Sequence, residues 1–391
     1  MTLFEEAFDI VMNSIYILGN EQVDFTDSLN RILAEDVVSD IEMPPFNKSA
    51  MDGYACRVED LKNELVEVEV IPAGYVPKKT ISKNQCAKIM TGAIVPEDAN
   101  CVIKAEDTKI TADYKIRFTK DDTNVNICYK AEDIKTGDIV LEKGTKIKPQ
   151  HIAVLSSAGC IKPYVVKQPR IGIISTGSEL VEPDKRPGIS QIRNSNSYQL
   201  IAQVLAMNAI PNYYGIAGDS EEEIYRIILK AVPDNDVIVL TGGISMGDYD
   251  IVPEILEKAK FKLLFKSVAI QPGKPTVFGS LDNKLCFGLP GNPVSSYIIF
   301  ELMVKPLLFK MMRMDYSPLY IKMPMGTTYK RKTTDRMAWI PVIITKDGYV
   351  MPVEIHGSAH VNALCKADGL VSIALGKESL RKGEKVYVRQ I

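Results

Sequence analysis

The residues best suited to chemistry stand where strand-like runs end. Residues 236–240 form such a run and pass into Thr241-Gly242-Gly243-Ile244-Ser245-Met246-Gly247-Asp248-Tyr249-Asp250. Paired glycines let the backbone approach a ligand closely and turn bare amides toward an anion. The spacing G-G-x-x-x-G fits neither the dinucleotide fingerprint nor the phosphate loop that ends in Lys-Ser/Thr. Two other runs end alike, 171–175 in Thr176-Gly177-Ser178-Glu179-Leu180 and 211–216 in Ala217-Gly218-Asp219-Ser220. As consecutive parallel strands they would bring Glu179, Asp219 and Asp250 to one edge, where open α/β sheets bind ligands. Three carboxylates there repel one another without a cation. Hard oxygen donors suit Mg²⁺, which keeps several waters and completes its shell with substrate phosphate. Asp219 by itself also reads as an acid at a helix start.

Two proline-framed loops follow. Ile270-Gln271-Pro272-Gly273-Lys274-Pro275 pins a cation between prolines, and Gly288-Leu289-Pro290-Gly291-Asn292-Pro293-Val294-Ser295 puts Pro293 where a helix would begin. A helix start with Ser295 and Lys274 nearby makes an anion pocket. The same rigidity also serves purely structural loops. Far upstream, residues 43–55 (MPPFNKSAMDGYA) read by composition as a linker.

These loops must be held by ordinary globular protein. The 391 residues are 46% apolar, and 47 basic against 49 acidic side chains leave a net charge of −2. No global positive field exists to hold a polyanion, which argues against nucleic acid as the main partner. Residues 1–9 carry Glu5, Glu6 and Asp9, and the apolar stretch 297–304 is broken by Glu301, so neither a signal segment nor a membrane span is expected. Seven scattered cysteines without a C-x-x-C pair favour a reducing cytoplasm and argue against zinc. With three histidines, an imidazole metal centre would have to use His356 and His360, and a turn histidine more often serves as a surface or hydrogen-bonding group.

Phe4, Phe8, Val11, Ile15 and Leu18 fall at helical spacing and predict an amphipathic helix capped by Gly19. From Glu64, Val66, Val68 and Val70 alternate with Glu67 and Glu69, and β-like runs follow near 86–91, 100–106, 115–119 and 124–129. Pro149 opens a short helix ending near Gly159. Residues 170–310 then alternate strand and helix patterns: strands 170–175, 211–216 and 236–241, helices 197–208, 220–232 and 251–260. That alternation predicts a parallel sheet with helices on both faces. Ser220 and Glu223 read as a capping box. Past 313, a hairpin signal at Asp347-Gly348 and strands near 336–345, 349–355, 369–375 and 384–390 predict an all-β end.

Taken in order, PPFNKSAMDGYA, KIMTGAIVP, KAEDI, STGSEL, NSNSY, GDS, TGGISMGDYD, QPGKP and GLPGNPVSS closely resemble the MoeA-type molybdopterin molybdenumtransferases, the family that includes the E domain of gephyrin. The resemblance spans essentially the whole chain. It implies a multidomain α/β and β fold: a discontinuous N-terminal domain (1–43 and 137–168), a β-rich insertion (44–136), a central parallel three-layer α/β domain (169–312) that binds molybdopterin, and a C-terminal β-barrel-like domain (313–391). It also implies a cytoplasmic homodimer in which the Asp52 loop of one subunit covers the α/β domain of the other. The implied reaction uses Mg²⁺, hydrolyses adenylyl-molybdopterin with release of AMP, and inserts molybdate or tungstate into the pterin dithiolene. Its acidic set would be Asp52, Asp133, Glu179, Asp219 and Asp250, with the metal on the last three. Gly242, Gly243, Ser245, Lys266, Lys274, Pro290, Pro293 and Ser295 would line the pterin and anion side, and Arg336 and Ser358 would reach the oxyanion. Many members carry lysine where this chain has Gln271, so the expected oxyanion pocket here has one positive charge fewer.

Two readings from other classes stay open on the residues alone. A scaffold protein would bind pterin without turnover, and a nucleotide phosphohydrolase would use the same Mg²⁺ edge on ordinary nucleotides without molybdate dependence.

Overall fold

The computed structural model describes residues 1–243, 251–354 and 361–391. The opening helix, α1 (Phe4–Asn13), buries Ala7 and Val11. It stops well short of Gly19, because Ser14 closes it: its amide donates to the Ile10 and Val11 carbonyls and its hydroxyl to Ile10 O at 2.7 Å. Serine competes for the last helical carbonyls in this way.

The chain forms two compact units. One comprises Gln22–Leu29 and Leu33–Tyr164. Its sheet contains β1 (Gly53–Cys56), β2 (Glu64–Ile71), β3 (Gln85–Ile89), β4 (Cys101–Lys104), β5 (Thr108–Ile110) and β6 (Ile116–Phe118), in the order β4-β1-β3-β2-β6-β5. Both faces are covered, one by Tyr54, Leu65, Ile103 and Phe118, the other by Ala55, Ile71, Ile89 and Val102. The valine alternation in β2 marks the strand but not its buried face. Val66 and Val70 are exposed while Leu65 and Ile71 are buried. A register shift between Glu67 and Glu69 turns the strand over, so that Leu65 packs on one face of the sheet and Ile71 on the other. Helix α2 (Pro149–Ser157) begins at its proline as expected. All seven cysteines are free thiols.

The other unit comprises Met1–Glu21, Asn30–Ile32 and Val165–Ile391. Its α/β part holds β7 (Arg170–Thr176), α3 (Asn196–Ala206), β8 (Ile210–Ala217), α4 (Glu221–Ala231), β9 (Val237–Thr241), α5 (Val252–Lys258), β10 (Lys262–Phe265), β11 (Ile270–Gln271), β12 (Val277–Leu281), β13 (Lys284–Leu289), α6 (Pro293–Ile299) and α7 (Lys305–Met311). The sheet order is β8-β7-β9-β13-β12-β10. The first four strands are parallel and β12 runs against both of its neighbours, β13 and β10, so the sheet is mixed rather than wholly parallel. The cause is local: only Asp282 and Asn283 separate the paired Leu281 and Lys284, and a two-residue link joins antiparallel neighbours alone. In β7, flanked by β8 and β9, Ile171, Ile173 and Ile174 are fully buried, as layers on both faces require.

The capping box at α4 is half as expected. Ser220 Oγ accepts the Glu223 amide at 3.2 Å, but the Glu223 carboxylate reaches back to the Gly218 amide at 2.8 Å. The Glu223 side chain thus fastens the strand end that carries Asp219.

Strands β14 (Tyr320–Pro324), β15 (Tyr329–Lys330), β16 (Met337–Ile344), β17 (Val350–Pro352), β18 (Gly369–Ile373), β19 (Ser379–Leu380) and β20 (Lys385–Gln390) make the last part. The main sheet runs β11-β16-β18-β20-β14, with β17 against the other end of β16. A single bridge, Met325 to Val350, joins the end of β14 to β17 and closes the ring in barrel fashion. Met325, Val342, Val371 and Val388 fill its core.

Two adjoining cavities at the sheet edge

The carboxyl ends of β7, β8 and β9 open into a cavity of about 610 Å³. Glu179, Asp219, Gly242, Gly243, Pro290 and Pro293 all line it, together with Asn194, Ser195 and Asn196. Asp219 is fixed by a reciprocal pair: its Oδ2 accepts the Ser178 amide at 2.8 Å, and its own amide donates to Ser178 Oγ at 3.1 Å. Glu179 folds back over Gly177, where a β-carbon would lie 2.4 Å from its Oε2, so the glycine makes room for the carboxylate. Gly242 has φ +98°, and a β-carbon there would meet the Thr176 carbonyl oxygen at 2.4 Å. Only glycine supplies both that backbone angle and that approach.

Asn196, at the start of α3, is a positioning residue whose role its motif NSNSY does not by itself reveal. Its amide nitrogen donates to Thr241 Oγ1 at 2.9 Å and to Gly291 O at 2.7 Å, tying the glycine turn to the proline loop. Beside it lies a buried polar network in which Asn194 accepts from Ser175 Oγ at 3.0 Å and donates to the Tyr213 hydroxyl at 2.9 Å. The Tyr213 hydroxyl donates to Glu182 at 2.7 Å, and burial with that carboxylate pushes the phenol well above its ordinary range. It stays neutral and keeps donating.

A second cavity of about 490 Å³ shares Pro275, Pro290 and Asn292 with the first. Its walls carry Lys274, Lys330, Arg331, Lys332 and Arg336, with Ser295 and Gln271. These come from distant stretches that one short pairing brings together: β11 lies parallel to β16, with Ile270 opposite Met337 and Gln271 opposite Ala338. The loop bearing Lys274 and the segment bearing Arg336 are therefore fixed to each other by the backbone. Arg336 Nε lies 3.5 Å from the exposed Asp335 carboxylate, an ion pair worth little there. Arg331 Nε, Arg336 Nε and Trp339 Nε1 are buried donors with no hydrogen-bond partner among the described residues. Orphaned donors around a cationic cavity suit an anion.

Not every expected residue joins this edge. Lys266 pairs with Glu257 at 2.9 Å on the exposed surface and lines neither cavity. Ser245, Asp250 and Ser358, and with them His356 and His360, lie outside the described residues. Among the described residues no group of three His, Cys, Asp or Glu side chains is placed to hold a metal ion. Glu179 and Asp219 nevertheless share one open wall, and two carboxylates with room for water fit Mg²⁺.

Asp52 and Asp133 belong to the other unit. Asp133 is exposed. Asp52, just before β1, accepts hydrogen bonds from the Thr91 amide at 2.6 Å and the Thr91 hydroxyl at 2.7 Å, which hold its carboxyl below the usual range. Thr91 lies in KIMTGAIVP, where nothing in the sequence marks it as the partner of Asp52. Thr91→Val deletes the hydroxyl bond and keeps the amide bond, so the Asp52 carboxyl should titrate at a higher pH, closer to an ordinary aspartate. Carboxyl NMR titration of both proteins checks this, and identical titration curves would remove the hydroxyl from the explanation.

The chain matches three family profiles: MoeA N-terminal region (domain I and II) over residues 2–159, probable molybdopterin binding domain over 172–310, and MoeA C-terminal region (domain IV) over 326–391. The molybdopterin molybdenumtransferase of Staphylococcus epidermidis is 35% identical over 395 residues, covering 98% of this chain and 94% of that one. Its counterpart in Staphylococcus aureus is 33% identical over 397 residues, with the same coverage. A crystal structure of a molybdopterin biosynthesis MoeA protein from Pyrococcus horikoshii superposes with a TM-score of 0.86 at 31% identity, covering 100% of this chain and 99% of that one. Whole-chain likeness in sequence and fold, with an acidic cavity and a cationic cavity side by side, leads to one conclusion: the chain belongs to the molybdopterin molybdenumtransferase (MoeA) family.

Proposed function

We propose that this enzyme hydrolyses adenylyl-molybdopterin, releases AMP, and inserts molybdate into the pterin dithiolene, with the two cavities dividing the work. The observation that carries this is their adjacency: a carboxylate wall and a cluster of five cationic side chains share Pro275, Pro290 and Asn292. Phosphoanhydride cleavage needs charge neutralisation and positioning more than a protein nucleophile. Mg²⁺, when bound at Glu179 and Asp219, would supply the positive charge that the phosphates need. Asp250 is proposed as a further ligand by the resemblance. The glycine turn at Gly242-Gly243 offers backbone close to the pterin or its phosphates, and Asn196 holds that turn in place.

Molybdate is a tetrahedral dianion, and Lys274, Arg336 and Ser295 suit it through charge-assisted hydrogen bonds. Gln271 stands exposed on the same cavity and contributes no charge. The homodimer, and roles for Asp52, Asp133 and Ser358 in the reaction, belong to the same proposal and rest on the resemblance. No helix among the described residues is long and apolar enough to cross a membrane.

The test is reconstitution. Incubation with adenylyl-molybdopterin, Mg²⁺ and molybdate should yield AMP and, in matching amount, a cofactor that activates a cofactor-free molybdoenzyme. AMP without active cofactor would point to a plain phosphohydrolase, and pterin binding without either product to a scaffold.

A further inference from the structure

We propose that Arg331 is the positioning residue of the cationic cavity: it holds the backbone of Arg336, so that the Arg336 guanidinium meets the oxyanion in a fixed pose. This rests on reading that cavity as the molybdate site. Arg331 follows β15, which pairs with β19 through Tyr329–Leu380 and Lys330–Ser379, and its amide continues the ladder to Glu378 O at 2.9 Å. Its side chain then turns across the chain and donates to three carbonyls. Nη1 reaches Ala374 O at 3.2 Å and Lys377 O at 3.4 Å, and Nη2 reaches Arg336 O. The Gly376 amide donates to Thr334 O at 2.8 Å, pinning the same loop from the opposite side.

Residues 331–336 thus form a loop whose far end is stapled by the guanidinium at its near end. Immediately beyond the stapled carbonyl, Met337 enters β16 opposite Ile270. The staple therefore holds the segment that carries Arg336 one residue before that segment pairs with the one that leads to Lys274. A planar fork with five donors can serve three divergent carbonyls at once, whereas a lysine ammonium at the same position is a point charge on a flexible stem. Arg331 also lines the cavity, so a purely electrostatic role is the rival explanation. Lysine separates the two, because it keeps the charge and loses the fork.

The experiment compares wild type with Arg331→Lys, Arg331→Ala and Arg336→Ala. It measures AMP release against molybdate concentration and titrates molybdate calorimetrically into the protein without pterin. Both Arg331 variants should raise half-saturating molybdate and its dissociation constant about tenfold, with kcat at saturating molybdate and the KM for the adenylylated pterin unchanged. A merely structural lesion would move all of these together. If Arg331→Lys restores the wild-type molybdate dependence while Arg331→Ala does not, the side chain acts by charge and the positioning role is overturned. If Arg336→Ala weakens molybdate binding and neither Arg331 variant does, the proposal also falls. If Arg336→Ala leaves molybdate binding unchanged, the failure lies with the oxyanion reading of the cavity, on which the role of Arg331 depends.

Discussion

Asp219→Asn should lower AMP release from adenylyl-molybdopterin by roughly 100-fold, equivalent to about 2.7 kcal/mol of transition-state stabilisation. The asparagine oxygen can still accept the Ser178 amide that Asp219 holds at 2.8 Å, so the strand end keeps its geometry and loses only charge. In the proposed reaction, charge is what the phosphate side needs, because the carboxylate would hold Mg²⁺ there. Molybdate affinity should not change, because Asp219 lines the 610 Å³ cavity and not the cationic one. Turnover within twofold of wild type would remove Asp219 from the machinery.

Gly242→Ala should be the most damaging single methyl in the site. At φ +98°, with a β-carbon 2.4 Å from the Thr176 carbonyl oxygen, alanine has neither an unstrained backbone nor space. The left-handed conformation alone costs about 1–3 kcal/mol, and the clash adds a similar amount. Loss of AMP release and a clear fall in melting temperature are expected together. Gly291→Ala is the control across the same cavity: its β-carbon would meet only the Gly242 Cα at 3.6 Å, an ordinary contact. Its melting temperature should stay close to wild type. Equal damage from the two substitutions would show that general crowding of the loop, and not the Gly242 backbone, is limiting.

Much of this site was legible in the sequence because strands announce their own ends. The runs before Thr176 and Thr241 are largely apolar, and 211–216, though broken by Asn212 and Gly215, falls between two helical patterns, so their carboxyl ends, and Glu179 and Asp219 just beyond, could be placed on one edge from the alternation of strand and helix. The prolines around Lys274 and Asn292 marked the second loop pair in the same way. What stayed hidden depends on pairings between distant segments. Nothing near Lys266 shows that its ammonium turns to Glu257. Nor does anything near Arg331 indicate carbonyls at 374 and 377, which reach it only because β15 pairs with β19. The antiparallel edge of the α/β sheet was written in Asp282-Asn283, a two-residue turn that the helix and strand periodicities pass over. The early end of α1 is a capping event at Ser14, and an apolar stripe continuing to Leu18 conceals it.

The most direct measurement is the time course of AMP release from adenylyl-molybdopterin at constant Mg²⁺ and increasing molybdate, with ATP as a parallel substrate. Release that rises to saturation with molybdate, and no comparable AMP from ATP, is the expected result. Equal release with and without molybdate, or equally fast release from ATP, would contradict two cavities that share the work of removing AMP and delivering the oxyanion.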